Sequence, residues 1–249
     1  MKKKLLAVCK SLLWCVVILL FPVLSGILSA VLSLDTVKTL FLQGVFMAAS
    51  LVIPAAFLFS GKWSWREIGF APFNFHGCQM ALYFVPLLAI FVPAAVQGFH
   101  IRSAGYVFGN LFLYLFVGIS EEVYFRGMIP NCLKAGFSTK GIVQASATIF
   151  AIGHIAAAFS GSGAFEIALS VWNALLFGWM AMEMTLLAAN ILPAILIHFL
   201  FDFETKLVVM SGRDLLIAEC VRGTLMFVSA VWLAAVLLRR RDHVQNFSH

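Results

Sequence analysis

The chain has 249 residues, 62% of them hydrophobic and 11% charged, with a formal net charge of +6. Soluble domains carry about 25% charged residues, so a water-exposed globular fold is excluded. The basic excess lies at Lys2, Lys3, Lys4 and Lys10 and at Arg239, Arg240 and Arg241; basic flanks on apolar runs are what the positive-inside rule produces, and they give no reason to expect nucleic acid.

Eight apolar segments follow in order, at roughly 11–33, 37–60, 77–99, 104–131, 140–160, 163–184, 187–207 and 214–238. Runs of about 20 apolar residues cross a bilayer as helices, and no alternating pattern of barrel strands is present. The expected fold is therefore all-α, a polytopic transmembrane bundle of about eight helices forming a single membrane domain over 1–249. An even number of crossings places both basic ends, including a tail at 239–249, in the cytoplasm. Three lysines before an apolar stretch also describe a signal peptide, but the stretch exceeds the usual length of one, so it is read as a helix.

The one substantial polar loop runs from Gly61 to Gly77 and carries Trp63, Trp65, Arg66 and Glu67; it is expected at the cytoplasmic interface. Pro54, Pro86, Pro93 and Pro193 are expected to kink or start helices. The five cysteines are scattered and suggest neither a disulfide framework nor a zinc-cysteine site. His76, His100, His243 and His249 fall at loop edges or in the tail and are read as solvated.

Ionisable side chains inside a bilayer are costly and mark function or pairing. Those deep in the apolar segments are Glu121, Glu122, Arg126, His154, His198 and Asp202, with Glu183 nearer a helix end; nearly all others are placed at termini or in loops. Glu122 and Arg126 stand four apart on one face and can pair. Glu121, about 100° around the helix, is left without a helical partner, as suits a general base in a low-dielectric site. Phe150 and His154 lie one turn apart. His198 and Asp202 are four apart, so the carboxylate can accept a hydrogen bond from one ring nitrogen and raise the basicity of the other. Three separate penalties are explained together by one shared polar cavity. Such a cavity could activate water and stabilise an oxyanion; a proton-coupled transporter and a catalytically silent scaffold or immunity protein are the competing readings.

In this order, Glu-Glu-x-x-x-Arg, Phe-x-x-x-His and His-x-x-x-Asp resemble the CPBP family, the CAAX-protease and bacteriocin-processing or Abi proteins. The resemblance covers about residues 104–207, which would be the catalytic core. It implies an intramembrane endopeptidase acting on a peptide precursor or a membrane-anchored protein. Glu121 would activate water with help from His154. His198 and Asp202 would stabilise the oxyanion or orient the water. Glu122 and Arg126 would shape the site. The family has been described both as metal-dependent and as metal-free. Metal-free catalysis is the expectation here, with zinc on Glu121, His154 and His198 as the alternative. The Lys-rich start and short loops look bacterial, so the expected location is a bacterial inner membrane.

Overall fold

A computed structural model describes residues 2–72, 82–155, 163–210 and 212–246, with side chains through 239. His76, Cys78 and His249 lie outside the described residues, as do the end of the polar loop and the side chain of His243. The described chain is all-helical, and each of the eight apolar segments holds a helix. Among the described residues, five helical stretches are long and apolar enough to cross a membrane: Lys2–Val31, Thr36–Phe59, Ala104–Leu133, Ala164–Ala188 and Gly212–Arg239.

The first crossing is α1 (Lys2–Val31). Its hydroxyls turn back onto their own helix, Ser11 Oγ donating to Ala7 O and Ser29 Oγ to Ser25 O, each at 2.8 Å, which satisfies them without water. The second crossing is α2 (Thr36–Ser50), capped by the Asp35 carboxylate on Lys38 N, followed by α3 (Val52–Phe59). Pro54 sits in the first turn of α3. The third segment is a 3₁₀ helix, Leu82–Phe91, containing Pro86, and it runs into α4 (Val92–Ala95), which has Pro93 in its first turn. A 3₁₀ turn rises about 2.0 Å per residue, so these 14 residues extend about 26 Å.

Next come α5 (Ala104–Glu122), a π-helical segment (Val123–Met128) and α6 (Ile129–Leu133). The π segment is buried throughout, a distortion that recurs at functional sites. Two long-range bonds brace it: Ser146 Oγ donates to Phe125 O at 2.7 Å, and the Tyr124 hydroxyl donates to Ser50 O at 3.0 Å. The bundle closes with α7 (Thr139–Gly153), α8 (Ala164–Ala188), α9 (Leu192–Leu207) and α10 (Gly212–Asn246), the last of which continues the basic segment as helix. Asn190 separates α8 from α9: Ala189 takes a left-handed φ of 49°, and Asn190 Oδ1 accepts from Leu192 N. Pro193 starts α9.

Two close approaches shape the interior. A Cβ on Gly118 would lie 3.1 Å from Phe199 N and 3.2 Å from Ile195 O, so only glycine lets α5 press against the backbone of α9 here. The polar loop is latched across one end of the bundle. Ile191 N donates to Gly69 O, Asn190 to Ala71 O and Asn131 to Glu67 O. Trp63 packs on Phe57 and Trp14. Hydrogen bonds from the backbone and hydroxyl of Ser64 hold the Glu67 carboxyl below the usual carboxylate range.

Candidate active site

The Gly118 contact lies about one turn before Glu121 and Glu122 on α5, between Ile195 and Phe199 on α9. It therefore brings both carboxylates opposite His198. Glu122 is buried and serves two partners through one oxygen: Oε1 accepts from His198 Nδ1 at 2.6 Å and lies 2.9 Å from Arg126 Nη1. The arginine contact pairs charge without the alignment of a hydrogen bond. The expected Glu122–Arg126 pair therefore forms, although the π segment begins between them.

The expected bond between His198 and Asp202 does not form. Asp202 Oδ2 lies 3.6 Å from His198 Nε2, beyond hydrogen-bond range, and Glu121 Oε2 lies 3.9 Å from the same nitrogen. The reason is tertiary. Glu122, anchored by Arg126, reaches Nδ1 from another helix and turns Nε2 toward the other two carboxylates. Glu121 and Asp202 keep 21% and 27% side-chain exposure, against 0% for Glu122. At 3.6–3.9 Å, Nε2 has no direct hydrogen bond to either carboxylate.

His154 caps the C-terminus of α7, with Nδ1 3.0 Å from Phe150 O. A donated Nδ1–H leaves Nε2 as the acceptor. Phe150 is the aromatic centre of the cluster. Its ring lies 4.6 Å from that of His154, 5.9 Å from that of His198 and 4.5 Å from the Arg126 guanidinium. Phe177 on α8, which carries no mark in the sequence, packs 4.8 Å from the His198 ring.

Two cavities share lining residues at this cluster. The larger, about 650 Å³, is lined by His154, Phe177, His198 and Asp202 and runs between α8, α9 and α10 to Glu166, Lys206 and Gly212. The smaller, about 200 Å³, places Glu121 and His154 together against α1 at Leu19 and Pro22. His154 and Phe150 line both, so Glu121 approaches from one side and His198 and Asp202 from the other.

A second polar network was not anticipated from the sequence. Arg222 on α10 is fully buried, with Nη2 3.1 Å from Glu204 Oε2 and Nη1 3.2 Å from Glu219 Oε1. Asn173 Nδ2 donates to Glu219 Oε2 at 2.9 Å, a bond between α8 and α10. Charges other than the six named above are thus not confined to termini and loops. The Glu219–Arg222 spacing of three within an apolar run was the available signal.

The alternative zinc set was Glu121, His154 and His198. Among the described residues, no three His, Cys, Asp or Glu side chains are grouped to hold a metal ion. Glu122 engages His198 Nδ1 and leaves Nε2 facing Glu121 and Asp202.

The family model of type II CAAX prenyl endopeptidase Rce1-like proteins matches residues 103–203. This segment is Rce1-like. The Rce1-like span contains Glu121, Glu122, Arg126, Phe150, His154, His198 and Asp202, and it stops short of Glu204, Glu219 and Arg222. The match agrees with the resemblance of the three motifs to CAAX-type membrane endopeptidases. No curated protein and no solved structure matches the chain.

Proposed function

We propose that this chain is an intramembrane endopeptidase that hydrolyses a peptide bond of a membrane-associated protein or peptide precursor with Glu121-activated water. The observation that carries this reading is the convergence of Glu121, Glu122, His154, His198 and Asp202 from three helices around Phe150, which lines two cavities.

Glu121 takes a proton from a water oriented by His154 Nε2, and the hydroxide attacks the scissile carbonyl carbon. With Nδ1–H donated to Glu122, a proton on Nε2 lets His198 stabilise the tetrahedral oxyanion. Asp202, 3.6 Å from Nε2, supplies negative charge that supports the protonated ring. Arg126 and Glu122 fix the ring. Glu121 then passes its proton to the amine nitrogen, the C–N bond breaks, and a carboxylate and an amine leave. No step requires a metal.

The charge distribution gives the orientation. Lys2, Lys3, Lys4 and Lys10, Lys62 and Arg66, Lys134 and Lys140, and Arg239, Arg240 and Arg241 lie at one end; Lys38, Arg102, Lys206 and Arg213 lie at the other. Contacts tie each group together: Lys4 sits over Phe137, and Arg102 sits over Tyr106, whose hydroxyl reaches Lys206 O. The positive-inside rule favours the first end, with both termini, as the cytoplasmic one, and a bacterial inner membrane is the proposed location. The mouth of the large cavity, at Glu166, Lys206 and Gly212, then faces the opposite side. From Lys206 to His198 is eight residues, so substrate reaches about 12 Å inward. Such a mouth suits the membrane-anchored end of a surface protein or an exported peptide.

The test is cleavage of a reporter peptide by purified protein in H₂¹⁸O. Single-turnover incorporation of one ¹⁸O into the new carboxyl terminus is expected. Peptides with anchor-like apolar ends that remain uncleaved would contradict the reading.

A further inference from the structure

We propose that a pocket at the cytoplasmic end of α7, α8 and α10 binds the headgroup of a phospholipid carrying a primary ammonium. The pocket has a volume of about 250 Å³, and its lining includes Lys140, Gln144, Trp179, Glu183, Leu186 and Leu237. It is separate from the Glu121 site and does not depend on that site being catalytic.

Glu183 is the anomaly. It is 4% exposed, on the last turns of α8. Trp179 Nε1 donates to its Oε1 at 2.8 Å, while Oε2 has no hydrogen-bond partner among the described residues. A buried carboxylate oxygen without a donor is costly, and more so at membrane depth. Lys140 lines the same pocket but makes no ion pair with Glu183 within 4 Å among the described residues. The pocket wall therefore holds an unmet acceptor just beneath its surface, beside an indole ring and, apart from it, an exposed cation.

That arrangement complements a zwitterion. A primary ammonium donates N–H to Glu183 Oε2 and lies against Trp179, where the ring adds cation–π attraction. The adjoining phosphate meets Lys140. The acyl chains leave along Leu186 and Leu237. The depth agrees, because Leu237 and Leu238 are the last apolar residues of α10 before Arg239, which puts the pocket at the boundary between headgroups and hydrocarbon. A quaternary choline headgroup has no N–H to give Oε2, and a glycerol headgroup has no cation. The site should therefore distinguish phosphatidylethanolamine from both.

Native mass spectrometry of the purified full chain, offered equal amounts of phosphatidylethanolamine, phosphatidylcholine and phosphatidylglycerol, tests this. The wild type should retain phosphatidylethanolamine preferentially. Glu183→Gln should lower that preference about tenfold while leaving phosphatidylglycerol retention unchanged. Lys140→Gln, on an exposed side chain that the fold tolerates, should reduce phosphatidylethanolamine retention even if the Glu183 variant does not fold. Equal retention of the three lipids by the wild type would overturn the proposal. So would an unchanged preference in Glu183→Gln.

Discussion

His198 and Glu122 meet at 2.6 Å although they stand 76 residues apart, and the same carboxylate oxygen lies 2.9 Å from Arg126. This buried triad fixes the ring of His198 and leaves Nε2 facing Glu121 and Asp202. Removing one partner of a buried ion pair strands the other charge, at a cost of about 3–5 kcal/mol. Glu122→Gln should therefore lower the unfolding temperature in detergent markedly. Glu122→Gln combined with Arg126→Met should recover much of that loss while activity stays absent, because His198 remains unanchored. If the double variant recovers activity as well as stability, the anchoring role is wrong.

Gly118 sets the distance between α5 and α9. A side chain there meets backbone atoms of α9 at 3.1–3.2 Å, and backbone cannot step aside as a flexible side chain can. Gly118→Val should cost about 1–3 kcal/mol by overpacking and should abolish cleavage, with Gly118→Ala intermediate. Thermal unfolding and a turnover assay on the same preparations check this. Full activity in Gly118→Val would show that the helices need not be so close.

Arg222 ties α9 to α10 through Glu204 and Glu219. Arg222→Ala leaves two carboxylates facing each other without their cation, and a loss of about 3 kcal/mol or more is expected. Glu219→Gln, with Glu219 at 25% side-chain exposure, should be much milder. Equal unfolding temperatures for the two variants would contradict this ranking.

The proposed orientation is open to labelling in intact cells. In a background without cysteines, Phe165→Cys and Leu216→Cys at the cavity mouth should react with a membrane-impermeant maleimide. Lys134→Cys should react only after permeabilisation. The reverse pattern would place the mouth in the cytoplasm and leave the chemistry at Glu121 untouched.

The helices were legible because apolar runs in a membrane chain leave few alternatives, and the prolines marked starts and kinks where α3, α4 and α9 show them. The site motifs were legible because each charge in hydrocarbon carries a penalty that bland packing rarely explains. What was not legible came from tertiary geometry. Spacing within α9 favours Asp202 as the partner of His198, but Glu122 arrives from α5 and takes that role. Phe177 is one of 25 phenylalanines, with nothing local to single it out. Glu204 lies near a helix end, and its pairing with Arg222 depends on how α9 and α10 cross. The polar loop was visible as a loop, but its attachment through Gly69 and Ala71 to residues 190–191 depends on contacts between distant parts of the chain.

The central claim is that Glu121 activates the attacking water, and the most direct measurement is the turnover of a reporter peptide by Glu121→Gln beside the wild type, with both unfolding temperatures recorded. The substitution keeps shape and removes the base. The account predicts a loss of about 10²- to 10⁴-fold in turnover with little change in unfolding temperature. Wild-type turnover in Glu121→Gln would contradict it.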